Sequence, residues 1–231
     1  MDRAYVTCHM VMSLDGKIDG EYHDAPNSEQ AGKYYYDVIF DLGSSMAGGR
    51  VTTCMYSPQP EIDYGQYRDV SVPEGDFIVR NPAGHYCFVY DRTGKCQWDA
   101  PTAEMNGVTM QIVEVLTCGA RPEYLAHLRK VGIAYIFVDE QRQPVKESLE
   151  KMKSLFGVGK LVLTGGAAVN GGFLAENAID ELSIVLMPYV EGKREEKALM
   201  DTAGRFIPAS FGIAEAKILP GGAVHLIFKR Q

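Results

Sequence analysis

The chain has 231 residues, of which 46% are hydrophobic, 23% charged and 10% aromatic, and its formal net charge is −7. That balance excludes a disordered chain and supplies ample apolar material for a core, so a single α/β domain spanning 1–231 is expected. The acidic pI near 5.3 and the scattered Lys and Arg give no footprint for nucleic acid. No apolar run approaches the ~20 residues of a membrane span, and "MDRAYVTCHM" lacks the regions of a signal peptide. The expectation is a cytoplasmic protein acting on a small molecule, with neither a nucleic-acid nor a membrane partner.

In chain order, "AYVTCHMVMSLDG" is a buried strand that stops at the Asp15-Gly16 turn signal and delivers Ser13 and Asp15 to its C-terminal edge. Ser28, followed by Glu29 and Gln30, opens a helix whose apolar and aromatic spacing runs to Leu42. "DLGSSMAGGR" is a short strand ending in glycines. From about 55 to 106 the periodicity fades, and an insertion is expected there, a lid or a subunit contact. Within it, "HYCFVYDRTGKCQW" places two apolar runs around Thr93-Gly94 as in a hairpin.

The second half alternates regularly: "VTMQIVEVLT" strand, "RPEYLAHLRKVG" helix, "IAYIFVD" strand, "PVKESLEKMKSLFG" helix, "KLVLTGG" strand, "AVNGGFLAENA" helix and "ELSIVLMPYV" strand. Such alternation describes crossover units on a mostly parallel central sheet flanked by helices. The tail departs from it, because "FGIAEAKILPGGAVHLIFKR" reads as a C-terminal antiparallel hairpin turning at Pro220-Gly221-Gly222. The five cysteines, Cys8, Cys54, Cys87, Cys96 and Cys118, are odd in number and lack a C-x-x-C pair. They are expected to be reduced and mostly buried, and no metal is expected.

The stretch "LVLTGGAAVNGGFL", Leu161 to Leu174, gives up side chains where a strand hands over to a helix. In an open α/β sheet, ligands bind beyond the carboxyl ends of strands, where a helix start offers free N–H groups to phosphate. Without Cβ atoms, Gly165 and Gly166 admit a diphosphate to those amides, with Ala167 to Gly172 as the first turn. The bland reading is tight strand-to-helix packing or a positive φ. A second junction, "AGGRVTT", sets Gly48, Gly49, Arg50, Thr52 and Thr53 at another strand end. There Arg50 offers a bidentate cation and Thr52 a hydroxyl. Two such junctions suit a dinucleotide.

"MSLDGKI", "GGRVTT" and "LVLTGGAAVNGGFLAENAIDELSIVLMPYVEG" together resemble the reductase domain of bacterial riboflavin-biosynthesis deaminase/reductase enzymes, which have the dihydrofolate reductase fold. The resemblance covers nearly the whole chain outside about 55–106. It implies a homodimeric reductase that passes hydride from NADPH to a pyrimidine-type or pterin-like substrate, as 5-amino-6-(5-phosphoribosylamino)uracil reductase does. On the matching positions, Thr164, Gly165, Gly166, Ala167, Ala168, Val169 and Gly171 would hold the cofactor diphosphate region. Gly49 and Thr52 would contact the cofactor, and Arg50 resembles the arginine directed at the 2′-phosphate. Met12, Ser13 and Asp15 would border the nicotinamide.

The departures concern substrate. Members of this family carry a glutamate directly before the glycine pair, where Thr164 stands here. They also carry an arginine on the first helix and an Asp-Pro-x-Leu-x-x-Arg stretch, where this chain has "YYYDVIFDL" and "TCMYSPQP". The resemblance therefore implies a retained cofactor side and altered substrate-side residues. Asp15 is the matching candidate for a catalytic proton donor; it also suits a turn former, and Glu29 or Asp37 on the following helix are alternatives. A non-catalytic nucleotide-binding protein on the same scaffold is the rival reading.

Overall fold

The computed structural model describes residues 2–231. Its elements run β1 (Tyr5–Met12), α1 (Ser28–Asp37), α2 (Ile39–Leu42), β2 (Ser45–Gly49), α3 (Arg50–Met55), β3 (Tyr86–Tyr90), β4 (Thr102–Met105) and β5 (Val108–Leu116). Then come α4 (Pro122–Val131), β6 (Ala134–Phe137), α5 (Pro144–Phe156), β7 (Lys160–Leu163), α6 (Ala167–Ala175), β8 (Glu181–Leu186), β9 (Phe211–Ile218) and β10 (Val224–Arg230). They divide into two compact units, one built on Ser44–Gly159 with the stretch ending at Ala4, the other on Tyr5–Gly43 and Lys160–Gln231.

In the Ser44–Gly159 unit, β3 lies between β2 and β5, parallel to both, with Phe88 opposite Ala47 on one side and Val113 on the other. β4 pairs antiparallel with the first half of β5 and β6 parallel with the second half, so both share one edge of that strand. Every residue of β2 is buried, and so are Tyr86 to Val89 of β3. Continuous burial is what a parallel strand covered on both faces demands, and it explains why these runs lack a polar/apolar alternation. Helices α4 and α5 each begin at proline and end at a left-handed glycine, Gly132 and Gly157. Those glycines let the last turns close and return the chain to β6 and β7.

The other unit carries the sheet order β7, β1, β8, β10, β9. β1 pairs parallel with both β7 and β8, and the antiparallel hairpin β9/β10 adds to β8. This is the α/β, dihydrofolate reductase-like architecture expected, with mostly parallel pairing and a C-terminal hairpin.

One expectation is corrected. "HYCFVYDRTGKCQW" is not a hairpin: its first limb is the parallel strand β3, and its second limb forms no ladder. The turn at Gly94 is real, with its N–H donating to Asp91 O at 2.9 Å. The chain after it is captured instead by the Asp91 carboxylate, which accepts from the Lys95 and Cys96 amides. The 55–106 stretch, expected as an insertion, supplies the central strand β3. The Phe77 and Tyr135 backbones exchange hydrogen bonds of 2.9 Å, and Tyr67 Oη lies 3.1 Å from His127 Nδ1 on α4.

Candidate active site

Within the Tyr5–Gly43 and Lys160–Gln231 unit, the parallel register brings the carboxyl ends of β7, β1 and β8 to one edge. Thr164, Gly165 and Gly166 follow β7, and Ser13 to Asp15 follow β1. Gly165 has φ +96°, and its peptide bond to Gly166 is cis. A Cβ on Gly165 would meet the Met10 thioether at 3.0–3.1 Å and Asn170 Nδ2 at 3.7 Å. Met10, unremarked in the sequence, is thus the side chain that lies over the glycine pair.

Helix α6 starts without a side-chain cap: Gly166 is extended and has no hydroxyl or carboxylate to offer, and the first turn holds no acidic residue. The first bond at this end runs from Asn170 N–H to Gly166 O, at 3.0 Å. The amides of Ala167, Ala168 and Val169 precede it and have no partner within the helix. A small, uncapped helix start of this kind presents N–H groups and the positive end of the helix dipole to an anion. The residues therefore fit the diphosphate of a dinucleotide.

Gly171 has a different task. A Cβ there would fall 1.7 Å from the Asp201 carbonyl oxygen, so its missing side chain makes room for the chain's own backbone. Gly171, expected to contact the cofactor, has this packing role in the structure.

At the end of β1, the Asp15 carboxylate accepts from Ser13 Oγ at 2.6 Å and from the backbone amides of Glu191 and Gly192 at 3.0 and 2.9 Å. Those donors hold it down to about 2, with the Ser13 hydroxyl the largest contributor. Asp15 is an ionised clamp between the β1 turn and the segment after β8. The Met12 carbonyl is taken by Met187 N–H at 2.8 Å, and the Ser13 hydroxyl also accepts from Lys17 N–H at 3.0 Å.

In the Ser44–Gly159 unit, Gly49 ends β2 fully within the core and Arg50 begins α3. Arg50 Nε sits 3.8 Å from Asp91 Oδ1, with the arginine side chain 40% exposed. Thr53, not Thr52, closes the first turn by donating to Gly49 O at 3.1 Å. Thr52 is half-buried.

Sequence reasoning missed two clusters. One is a chain of polar side chains through His9, Ser183, His225 and Tyr34. The other gathers Cys54, Asp91, Cys96 and Glu114. Neither has a spacing signature, because their members come from elements far apart in the chain.

Comparison with known proteins follows the same lines. Residues 4–206 match the model of the RibD C-terminal domain. A segment of 85 residues is 29% identical to the 2,5-diamino-6-ribosylamino-4(3H)-pyrimidinone 5′-phosphate reductase of Methanothermobacter thermautotrophicus, spanning 37% of this chain and 38% of that relative. The fold is similar to a pyrimidine reductase-like protein of Corynebacterium diphtheriae, with a TM-score of 0.70 and 12% identity over 99% of this chain and 92% of the other. It is also similar to Rib7, the riboflavin biosynthesis reductase of Saccharomyces cerevisiae, at TM-score 0.62 and 13% identity over 100% and 91%. Acinetobacter baumannii RibD gives 0.66 at 16% identity, over 100% of this chain and 59% of that one. Among the described residues no helix is long and apolar enough to cross a membrane.

Proposed function

The chain belongs to the family of RibD C-terminal domains, and on that premise we propose that it is a nicotinamide-dependent reductase, with NADPH as cofactor and a small pyrimidine-type heterocycle as hydride acceptor. The observation that carries the proposal is the uncapped start of α6 behind Gly165-Gly166. Bound there, the dinucleotide would supply a hydride; everything else is the work of this chain's own residues.

In this reading the amides of Gly166 to Val169 bind the diphosphate, and Thr164 and Gly165 let the backbone come close. Met12 and Ser13 border the nicotinamide, and Met10 shields the glycine pair from water. Asp15, held ionised, keeps the β1 turn and the Glu191-Gly192 segment in register rather than giving up a proton. Gly49, Arg50 and Thr52 are the second set of cofactor contacts in this reading, Arg50 reading the 2′-phosphate that distinguishes NADPH from NADH. Thr164, standing where relatives carry glutamate, marks an acceptor whose contacts differ from theirs. A homodimer in the cytoplasm belongs to the same proposal.

The test is titration of the purified protein with NADPH, followed by loss of NADPH absorbance on adding pyrimidine acceptors. Wild type should bind and oxidise the cofactor. Gly166→Val should abolish binding while the melting temperature holds, since a branched side chain on the half-buried Gly166 would cover the amides. An unaltered titration of that variant would falsify the backbone-contact idea. Binding without any NADPH consumption across the acceptors would move the chain to the non-catalytic alternative.

A further inference from the structure

Three side chains of the Ser44–Gly159 unit converge on one spot that the reductase reading leaves unused, and a fourth, Cys54, touches one of them. One ligand atom from each of Asp91, Cys96 and Glu114 lies within 4.8 Å of the others, and Cys54 Sγ is 2.9 Å from Cys96 Sγ. Cys96 and Glu114 are fully buried and Asp91 nearly so, at 3% exposure; Cys54, on α3, is half-buried. Asp91 directly follows β3, Cys96 lies in the return after the Gly94 turn, and Glu114 is central in β5.

The two carboxylates are each held by one oxygen. Asp91 Oδ2 accepts from the Lys95 amide and, at 2.7 Å, the Cys96 amide. Glu114 Oε1 accepts from the Trp98 indole N–H and, at 3.3 Å, the Tyr124 hydroxyl. The second oxygens differ: Asp91 Oδ1 is in an ion pair with Arg50 Nε at 3.8 Å, and Glu114 Oε2 is buried with no hydrogen-bond partner. A buried carboxyl oxygen without a partner calls for an explanation. One oxygen fixed by protein donors with the other free is also how metal-ligating carboxylates are oriented.

We propose that Cys54, Asp91, Cys96 and Glu114 form a binding site for a zinc-class divalent cation. Two sulfur ligands select a borderline-soft ion over magnesium or calcium, and two sulfurs with two oxygens suit tetrahedral coordination. Zinc–sulfur and zinc–oxygen bond lengths place tetrahedral ligand atoms about 3.5–3.8 Å apart. Binding would therefore part the two sulfurs, now 2.9 Å apart, and draw in the Asp91, Cys96 and Glu114 ligand atoms, now within 4.8 Å of one another. The site would tie α3, the return after β3, and β5 together directly behind Arg50. It departs from the sequence expectation of no metal, which rested on the missing C-x-x-C pair and on histidines without ligand spacing.

The experiment titrates the reduced, metal-free full chain with Co²⁺ and then Zn²⁺. One equivalent of Co²⁺ should bind with a thiolate-to-cobalt charge-transfer absorption and tetrahedral ligand-field bands, and Zn²⁺ should bleach both while Mg²⁺ does not. Cys96→Ser and Cys54→Ser should each lose part of the charge-transfer band, and Cys118→Ser, at an exposed thiol, should keep all of it. Trp98→Phe, which frees the oriented Glu114 oxygen, should weaken binding by about tenfold or more. As a readout needing no variant, Zn²⁺ should slow alkylation of Cys54 in the wild-type chain. The proposal fails if the reduced protein shows no thiolate-to-cobalt band and Zn²⁺ leaves Cys54 alkylation unchanged. It fails equally if the reduced chain binds no metal and the protein, purified without reductant, carries a Cys54–Cys96 disulfide.

Discussion

Gly171 and Asp201 compete for one space: a Cβ on Gly171 would stand 1.7 Å from the Asp201 carbonyl oxygen. The approach is fixed by Asp201 N–H donating to Ala167 O at 2.9 Å and by Asn170 Nδ2 donating to Leu199 O at 2.9 Å. Residues 199–201 therefore lie along the first turns of α6, with backbone rather than a movable side chain as the obstacle. Gly171→Ala should destabilise the protein by about 2–3 kcal/mol, the scale of overpacking that forces a backbone shift. Urea denaturation measures it. A variant of unchanged stability that has lost NADPH would restore Gly171 to the cofactor.

The hydrogen bonds of the buried polar chain assign its protons. The Tyr35 carbonyl can only accept, so His9 Nε2–H donates to it at 2.9 Å and, in the neutral ring, Nδ1 accepts from Ser183 Oγ at 2.8 Å. Ser183 Oγ then accepts from His225 Nε2–H at 2.7 Å, and His225 Nδ1 accepts from the Tyr34 hydroxyl at 2.9 Å. Each histidine is neutral in this scheme, and there is no acid close by to favour the charged form of His9.

Burial drives His9 down to about 4, and the nearby His225 adds to the effect. Its unfolded value near 6.5 lies above the folded one, so between the two pH values the unfolded chain binds the extra proton. Stability should hold above pH 6.5 and fall as pH drops to 4, by about 3 kcal/mol from this group. His225, also lowered by burial, acts in the same direction. An NMR titration of the His9 ring checks the premise: its Cε1 proton should not shift between pH 7.5 and 5.5. A midpoint near 6.5 would remove the predicted loss.

The order of strands and helices in the second half was legible because apolar runs of strand length alternate with proline-started, glycine-stopped helices, as at Pro122 to Gly132. The hairpin at Pro220-Gly222 was legible for its turn residues. What misled was β3: Tyr86 to Tyr90 is apolar and followed by a true turn at Gly94, features that a hairpin limb and a central parallel strand share. Only the Asp91 carboxylate, which takes the Lys95 and Cys96 amides, decides between them, and a side-chain-to-backbone bond leaves no periodic trace. The glycine pair after β7 was legible as a bare corner, whereas Gly171 looked identical in sequence and differs because Asp201, thirty residues later, fills its flank.

Arg50→Ala should weaken NADPH about ten- to hundredfold and NADH hardly at all, the loss being one charge-assisted phosphate contact. The fold should persist, because Asp91 retains the Lys95 and Cys96 amides as donors once the arginine at 3.8 Å is gone. Parallel fluorescence titrations with the two cofactors give the ratio. Equal losses for both would make Arg50 a support for Asp91 and its neighbours instead of a reader of phosphate.

Asp15→Asn separates a clamp from a proton donor. Asparagine keeps one acceptor oxygen but cannot take both the Glu191 and Gly192 amides on carboxylate oxygens, so amide exchange at those residues should quicken. Asp15 is ionised throughout the range where the enzyme would work, since its donors hold it near 2, and it has no proton to give at neutral pH. Turnover should therefore fall by less than about tenfold, against the 10²–10⁴-fold typical of losing a general acid. The pH profile of kcat between 5 and 9 should keep its shape in the variant. A profile that loses its basic limb, together with the larger drop in turnover, would return Asp15 to the role of acid and require that bound substrate raise its pKa by several units.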